Sequence, residues 1–406
     1  MLNELSTINS LQLNSLPFLL LSLAFLFLIK LGRYFRLQGP FMAFANLAFL
    51  YYFIANINGF VFLSCLLACT YSIAEIRRRG ADIVPRPIFL IILLGFWACL
   101  FLVKDPNFAS FINPFHHFPV YIVGISFMLF RCINYIEDAE LSLDRNFLTF
   151  LNYMTYFPTF IMGPIERYDN FIKFYNNPQI LGTEKIIANL HRIANGFIKK
   201  FVIADNLYFF TTFGSSNFDD LSLPMLWIYI LLQLPVLYMD FSGYCDIVIG
   251  LSRLLGIPLM ENFNKPLKAC NIQELWMRWH ISLTSFIRDY VFNPLNRFAF
   301  KNFPHTSHFF VMNATYFLTM MLIALRHGTS WSYAIYGMIH GVALIFIQTK
   351  KKYFNKIEVN SPFLRLVENN YVSWSINFVF ISLTMVIWSF NPQDSSHIFL
   401  RLMGVR

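Results

Sequence analysis

Residues 308–352 read HFFVMNATYFLTMMLIALRHGTSWSYAIYGMIHGVALIFIQTKKK. One apolar run begins near His308 and stops at Arg326-His327-Gly328. A second begins near Ser332 and stops at Lys350, Lys351 and Lys352. Runs of this length and apolarity fit the hydrocarbon core of a bilayer, which takes about 20 residues of helix. The stretch therefore reads as a transmembrane helical hairpin, with an ionisable residue, His327, at its turn.

The rest of the chain repeats the pattern. Further apolar runs begin near Leu16, Phe41, Arg86, His117, Phe147, Phe201, Leu223 and Val372. Of the 406 residues, 57% are hydrophobic and only 13% charged, with 48 phenylalanines and a mean hydropathy of +0.53. A soluble domain carries about 25% charged residues, so lipid is the expected solvent. The expected fold is all-α and polytopic, roughly 10–11 spans in a single membrane-embedded domain over residues 1–406. The run from Phe41 to Ile76 is 36 residues long, roughly 54 Å as one helix and too long for a single crossing. Asn56-Ile57-Asn58-Gly59 marks a turn at its middle, so two helices are expected there. Met1–Ser15 has an acidic residue and no basic one. The run from Leu16 therefore reads as a retained span rather than a cleaved signal.

The net charge is +9, but the cations sit in clusters beside apolar runs: Lys30, Arg33 and Arg36; Arg77–Arg79; Lys350–Lys352. That is the pattern of cytoplasmic loops in a membrane protein, and it argues against a nucleic-acid partner. It places Arg33 and Arg77–Arg79 inside and the N-terminus outside. The six cysteines include no C-x-x-C pair, and they read as buried structural thiols. Tyr168–Arg192 is polar and reads as a loop with a surface helix. Residues 261–297 mix tryptophan, charge and apolar residues, a composition that suits re-entrant or interfacial helices.

Nine histidines occur. His116, His117, His191, His305, His308 and His397 lie in or beside polar linkers and read as solvated. His280, His327 and His340 lie in or at the edge of membrane-depth sequence, where an ionisable side chain is expensive and function is the default reading. Each has a plainer alternative. His280 follows Trp276 and Trp279 and could be an interface residue, and His327 could cap a helix end. His340 lies between Gly337 and Gly341, a spacing that suits tight helix packing. A histidine with a pKa near neutrality can take the proton of a hydroxyl as that hydroxyl attacks an acyl carbonyl. The one H-x-x-H pair, His305 and His308, includes none of these three, so no metal is expected. Asp240 and Asp246 interrupt the run from Leu223 to Leu255, and Ser242-Gly243 between them suggests a helix break. Pairing with Arg253 or Arg278 is the plainer reading of these aspartates.

Four blocks, in order, resemble the membrane-bound O-acyltransferase family, in its branch that modifies bacterial cell-envelope polymers. They are FPTFIMGPIERYDNF (157–171), MDFSGYCDIVIGLSRLLGIPLMENFNKP (239–266), WMRWHISLTSFIRDYVFNPL (276–295) and RHGTSWSYAIYGMIHG (326–341). A motif core of about residues 120–345 contains them. The resemblance implies a ring of helices around a thin centre, with a funnel entering from each face. It also implies a multi-pass protein of the cytoplasmic (inner) membrane that moves an activated acyl group to an outside hydroxyl. His327 matches the histidine usually assigned as catalytic, and His280 matches its partner. His340 matches a following H-G of less settled role, with Arg326, Trp279, Asp240 and Asp246 as possible supports.

No bound cofactor is implied. The donor would be an acyl thioester, on carrier-protein phosphopantetheine or as acyl-CoA. The other partners would be an extracytoplasmic acceptor or partner protein and the lipid bilayer. This chain has Arg326 where the family usually has tryptophan. A cation there would lower the histidine's pKa or bind a phosphate or carboxylate. ENFNKP, GPIERY and the chain's length resemble members that transfer D-alanine, whereas DFSGYCDIVIGLSRLLG and RDYVFNPL resemble members that transfer acetyl. The reading leans to the first. A proton-coupled transporter or flippase of an envelope precursor is the alternative.

Overall fold

Within lipid a backbone has no water to bond to, so an apolar chain folds into helices that satisfy their own N–H and C=O groups. The computed structural model describes residues 16–53, 57–79, 95, 124–140, 144–216, 218–328, 330–354 and 369–405. Every regular element among them is helical. Five helices are long and apolar enough to cross a membrane: Gly59–Arg78, Leu223–Leu254, His308–Leu325, Trp331–Tyr353 and Asn370–Ser389. The all-α polytopic expectation holds on this evidence. The run expected from Arg86, the start of the one from His117, and His116, His117 and Cys99 lie outside the described residues.

Contacts divide the chain into two compact units that interleave in sequence. Among the described residues, one holds those up to 95, then 124–201 and 243–260; the other holds 202–242 and 261–405.

In the first unit, α1 (Leu16–Tyr34) and α2 (Gln38–Phe53) form a hairpin. At its turn, Arg33 donates to Gln38 Oε1 at 3.1 Å and to the Leu255 carbonyl at 2.7 Å. The break predicted near Asn56 is present, because α3 starts anew at Ile57–Arg78. Its basic end is tied to the end of α4 (Ile125–Glu137). Arg77 pairs with Glu137 and Glu140, and Arg78 donates to the Ala139 carbonyl.

Two expected spans are not single helices. The run from Phe147 gives only α5 (Phe147–Met154), followed by a 3-10 turn at Phe157–Thr159 that includes Pro158. Proline there lacks the N–H that a continuing helix needs. Buried Arg131 donates to the carbonyls of Tyr153, Met154 and Thr159 around this turn. The run from Phe201 gives a π-turn, Ile198–Ala204, and then α8 (Asp205–Ser216). The polar stretch after Tyr168 is also more ordered than expected. It forms α6 (Tyr168–Asn176) and α7 (Thr183–Phe197) rather than a loop with one surface helix. Helix α7 buries Ile193 against Ile247, Leu251 and Leu254.

The break expected at Ser242-Gly243 is absent, because α9 (Leu223–Leu254) runs through it unbroken. Gly243 is there for close approach instead. A Cβ on it would meet the Gly196 carbonyl at 2.8 Å, and one on Gly196 would meet the Gly243 carbonyl at 2.6 Å. Two glycines let two backbones touch where any side chain would hold them apart.

The second unit holds a string of short helices: α10 (Ile272–Arg278), α11 (Ile281–Ile287), a π-turn at Arg288–Phe292, and α12 (Asn293–Asn302). Three long or terminal helices follow: α13 (His308–Leu325), α14 (Trp331–Thr349) and α15 (Asn370–Ser389), with α16 (Pro392–Leu402) after them. Helices α13 and α14 form the hairpin read from the sequence. A Cβ on Gly337 would meet Ala324 Cβ at 2.9 Å, and one on Gly341 would meet the Phe317 ring at 2.8 Å.

Candidate functional site

Helix α13 ends in a tight turn: the N–H groups of Arg326, His327 and Gly328 bond back to Leu322, Ala324 and Leu325. The turn presents Arg326 and His327 just beyond the helix. The His327 ring packs against Trp388 at 4.1 Å between centroids and against Tyr333 at 6.0 Å. Gly328 completes the turn at φ +154, where a Cβ would meet the Tyr333 ring at 2.9 Å. Trp388 lies near the end of α15, so three helix ends converge on this histidine.

His340 lies two turns into α14 and is buried at 1% exposure. Its Nε2 is 3.1 Å from Thr384 Oγ1. Tyr336 stacks on the ring at 4.1 Å, and Trp276 meets it edge-on at 5.7 Å. Tyr336 also touches Trp388 at 5.0 Å. An aromatic chain thus runs from His327 through Trp388 and Tyr336 to His340 and Trp276.

His280 sits at the start of α11 with a left-handed backbone, φ +46. Its Nδ1 is 3.0 Å from Asn262 Oδ1. The same oxygen accepts from the Ser282 N–H at 3.3 Å and the Ser282 hydroxyl at 2.8 Å. Only an oxygen can accept a backbone N–H, so the amide orientation is fixed, and His280 must donate from Nδ1. Neutral His280 therefore carries its lone pair on Nε2. The ENFNKP loop is tied to this segment by two further backbone bonds, Ile281 N to Asn262 O and Asn264 N to Arg278 O, both at 2.9 Å. Burial pushes the His280 pKa well below 6.5, and the positive charge of Arg326 lowers it further. Arg326 thus links the two histidines: it precedes His327, and its charge reaches His280. The sequence reading assigned that repulsion to His327.

The other expected residues divide. Trp279 is half-buried and packs on Phe263 at 5.1 Å and Tyr238 at 6.2 Å, supporting the His280 segment. Its neighbour Trp276 is the tryptophan that meets His340. Asp240 is half-buried in α9. Asp246 pairs with Arg192 at 2.9 Å and Lys199 at 2.6 Å. Pairing with a cation was expected, but with Arg253 or Arg278. Arg278 instead bonds Glu274 one turn back. The Asp246 group lines a cleft of about 380 Å³ with Ala188, His191, Asn195 and Ile198.

Sequence reasoning missed Asn262, Tyr336, Thr384 and Trp388. Asn262 and Tyr336 stand inside quoted blocks, but a polar or aromatic residue there carried no separate signal. Thr384 and Trp388 lie outside the blocks altogether. Glu166 was also read only as part of a helix terminator. It is buried at 2% exposure and accepts from Asn170 at 2.7 Å and from the Met260 N–H at 2.8 Å. Burial raises its pKa.

The hairpin turn thus sets part-buried His327 in an aromatic junction that leads on to buried His340. The chain matches the MBOAT, membrane-bound O-acyltransferase, family over residues 49–390 and belongs to it. It is 33% identical to the peptidoglycan O-acetyltransferase of Helicobacter pylori over 236 residues, 58% of this chain and 42% of that protein. It is 31% identical to the teichoic acid D-alanyltransferase of Bacillus subtilis over 313 residues, 73% of this chain and 76% of that one. The probable alginate O-acetylase AlgI of Pseudomonas putida is 29% identical over 295 residues, 70% of this chain and 54% of its own length. The match thus spans less than half of the Helicobacter protein and about half of the Pseudomonas one.

Proposed function

We propose that this chain is a single membrane-embedded O-acyltransferase that moves an activated D-alanyl or acetyl group to a hydroxyl of an envelope polymer outside the cytoplasmic membrane. The donor is an acyl thioester, on a carrier protein or coenzyme A. The observation that carries the reading is the convergence of three helix ends on His327, beside Arg326, whose charge reaches His280.

In this mechanism His327 takes the proton of the acceptor hydroxyl. The acceptor oxygen attacks the thioester carbonyl and forms a C–O bond. The C–S bond then breaks, and the leaving thiolate receives the proton from the imidazolium. Ester and thiol are the products, and no redox partner is needed. His280, neutral and with its lone pair on Nε2, assists by orienting a bound hydroxyl or thiol. Relatives bearing D-alanyl-transfer and O-acetyl-transfer names both support the acyl class, and peptidoglycan joins teichoic acid and alginate as an acceptor to test.

The test is His327→Ala in the full-length protein, with membrane insertion checked and envelope acylation measured. A general base contributes roughly 10²–10⁴-fold, so acylation should fall by about that factor. Undiminished acylation overturns the assignment, and a lost substrate gradient with acylation intact would identify a transporter.

A further inference from the structure

Arg326 lacks the protein partners that three other interior cations have. Arg131 has four carbonyl and hydroxyl bonds, Arg78 has Glu75 and Tyr135, and Arg192 has Asp246. The Arg326 Nε is buried, and among the described residues it has no hydrogen-bond acceptor. No carboxylate pairs with its guanidinium among them either. The residue as a whole is part-buried, so its charge is poorly solvated yet open to a ligand, and a poorly solvated charge with no counter-ion is unfavourable. Burial pushes its pKa down to about 10, so it remains a cation at neutral pH.

Two further buried polar atoms, on the aromatic chain that leads away from His327, have no hydrogen-bond partner among the described residues: His340 Nδ1 and Trp276 Nε1. They belong to the aromatic chain that begins at His327, the residue after Arg326. A buried polar group without a partner calls for an explanation, and a bound polar group supplies one.

We infer that Arg326 is an anion-binding residue of this site, taking a carboxylate or phosphate carried by the bound substrate. The proposal rests on the acyl-transfer reading above. The planar guanidinium offers Nε–H and Nη–H side by side, the arrangement that grips a carboxylate or phosphate with two parallel bonds. A transient oxyanion would need only a neutral donor. A permanent cation matches a permanent anion. Arg326 thereby selects charged substrates, and it does so through a residue that the family resemblance would have as tryptophan.

The experiment measures the melting temperature of the purified full-length protein in lipid nanodiscs. Chloride is replaced at constant ionic strength by phosphate in one arm and by acetate in the other. The wild-type protein should show a saturable rise of ~2–5 °C in at least one arm. The arm with the larger rise identifies phosphate or carboxylate as the preferred group. Arg326→Gln and Arg326→Trp should abolish the rise, and Arg326→Lys should weaken it. Both neutral variants should be at least as stable as wild type in chloride, because an uncompensated charge has been removed. An equal rise in Arg326→Gln, or none in wild type, overturns the proposal. The outcome is separable from the acyl-transfer test. A surviving anion response with undiminished acylation in His327→Ala would keep the anion site and reject the catalytic reading.

Discussion

Asn262 decides what His280 can do. Its amide oxygen holds three donors, and one of them fixes the imidazole with its proton on Nδ1. Asn262→Leu removes the acceptor and leaves buried donors unsatisfied, a penalty of about 1–3 kcal/mol. The tautomer is then free to invert, and acyl transfer should fall by about 10–100-fold. Asn262→Asp keeps the acceptor but adds a negative charge, so it should retain more activity and shift the pH–rate profile upward. Wild-type rates in Asn262→Leu at every pH would show that the tautomer does not matter.

The same residue makes a stability prediction. The folded pKa of His280 lies well below 6.5, so the unfolded chain takes up a proton that the folded protein refuses. The stability from this group is complete above about pH 7.5 and is lost as pH falls below 6.5, by up to ~1.4 kcal/mol per unit. Wild-type melting temperature should therefore drop more steeply than that of His280→Gln between about pH 6.5 and 5. Parallel curves would place His280 in solvent. His280 and His327 were legible in the sequence because a titratable group in apolar surroundings stands out. Asn262, Thr384 and Trp388 were not, because their role comes from contacts that only the fold creates.

At the scale of elements, the hairpin α13–α14 positions Arg326 and His327, and Gly337 sets how closely its two arms lie. The Cβ of Ala324 would be 2.9 Å from one on Gly337. Gly337→Leu should force the arms apart, at about 1–3 kcal/mol of overpacking, and should reduce acyl transfer by displacing the turn. Gly337→Leu with Ala324→Gly should recover part of both losses, since the two changes share one contact. Gly243→Ala, against backbone at 2.8 Å, should likewise destabilise, whereas Gly182→Ala, with nothing within 4 Å, should be neutral. Melting temperatures of the four variants check this set. The hairpin and its small residues were readable from spacing alone. The unbroken α9 was not: serine and glycine between two aspartates look like a hinge. Only the neighbouring Gly196 shows that the glycine serves packing.

At the scale of the molecule, charge placement predicts orientation. Arg33 and Arg36 stand at the end of α1, and Arg77–Arg79 at the end of α3, with two helices between them. Helix α2 has 16 residues and α3 has 22, about 24 Å and 33 Å long. The first is short for the hydrocarbon core and the second ample, so α2 crosses only with its ends drawn into the interface or the bilayer thinned. If both cross, the two basic clusters share a face, and the positive-inside rule makes that face cytoplasmic. Single cysteines at Arg36 and Arg79, in a background with native cysteines replaced by alanine, should both resist an impermeant maleimide in intact cells. Both should react once the membrane is opened. Labelling of one but not the other in intact cells would mean that α2 dips into the membrane and returns. That result would invert every element after it and put His327 nearer the opposite face. Two helix lengths therefore bear directly on which side of the membrane faces the acyl donor.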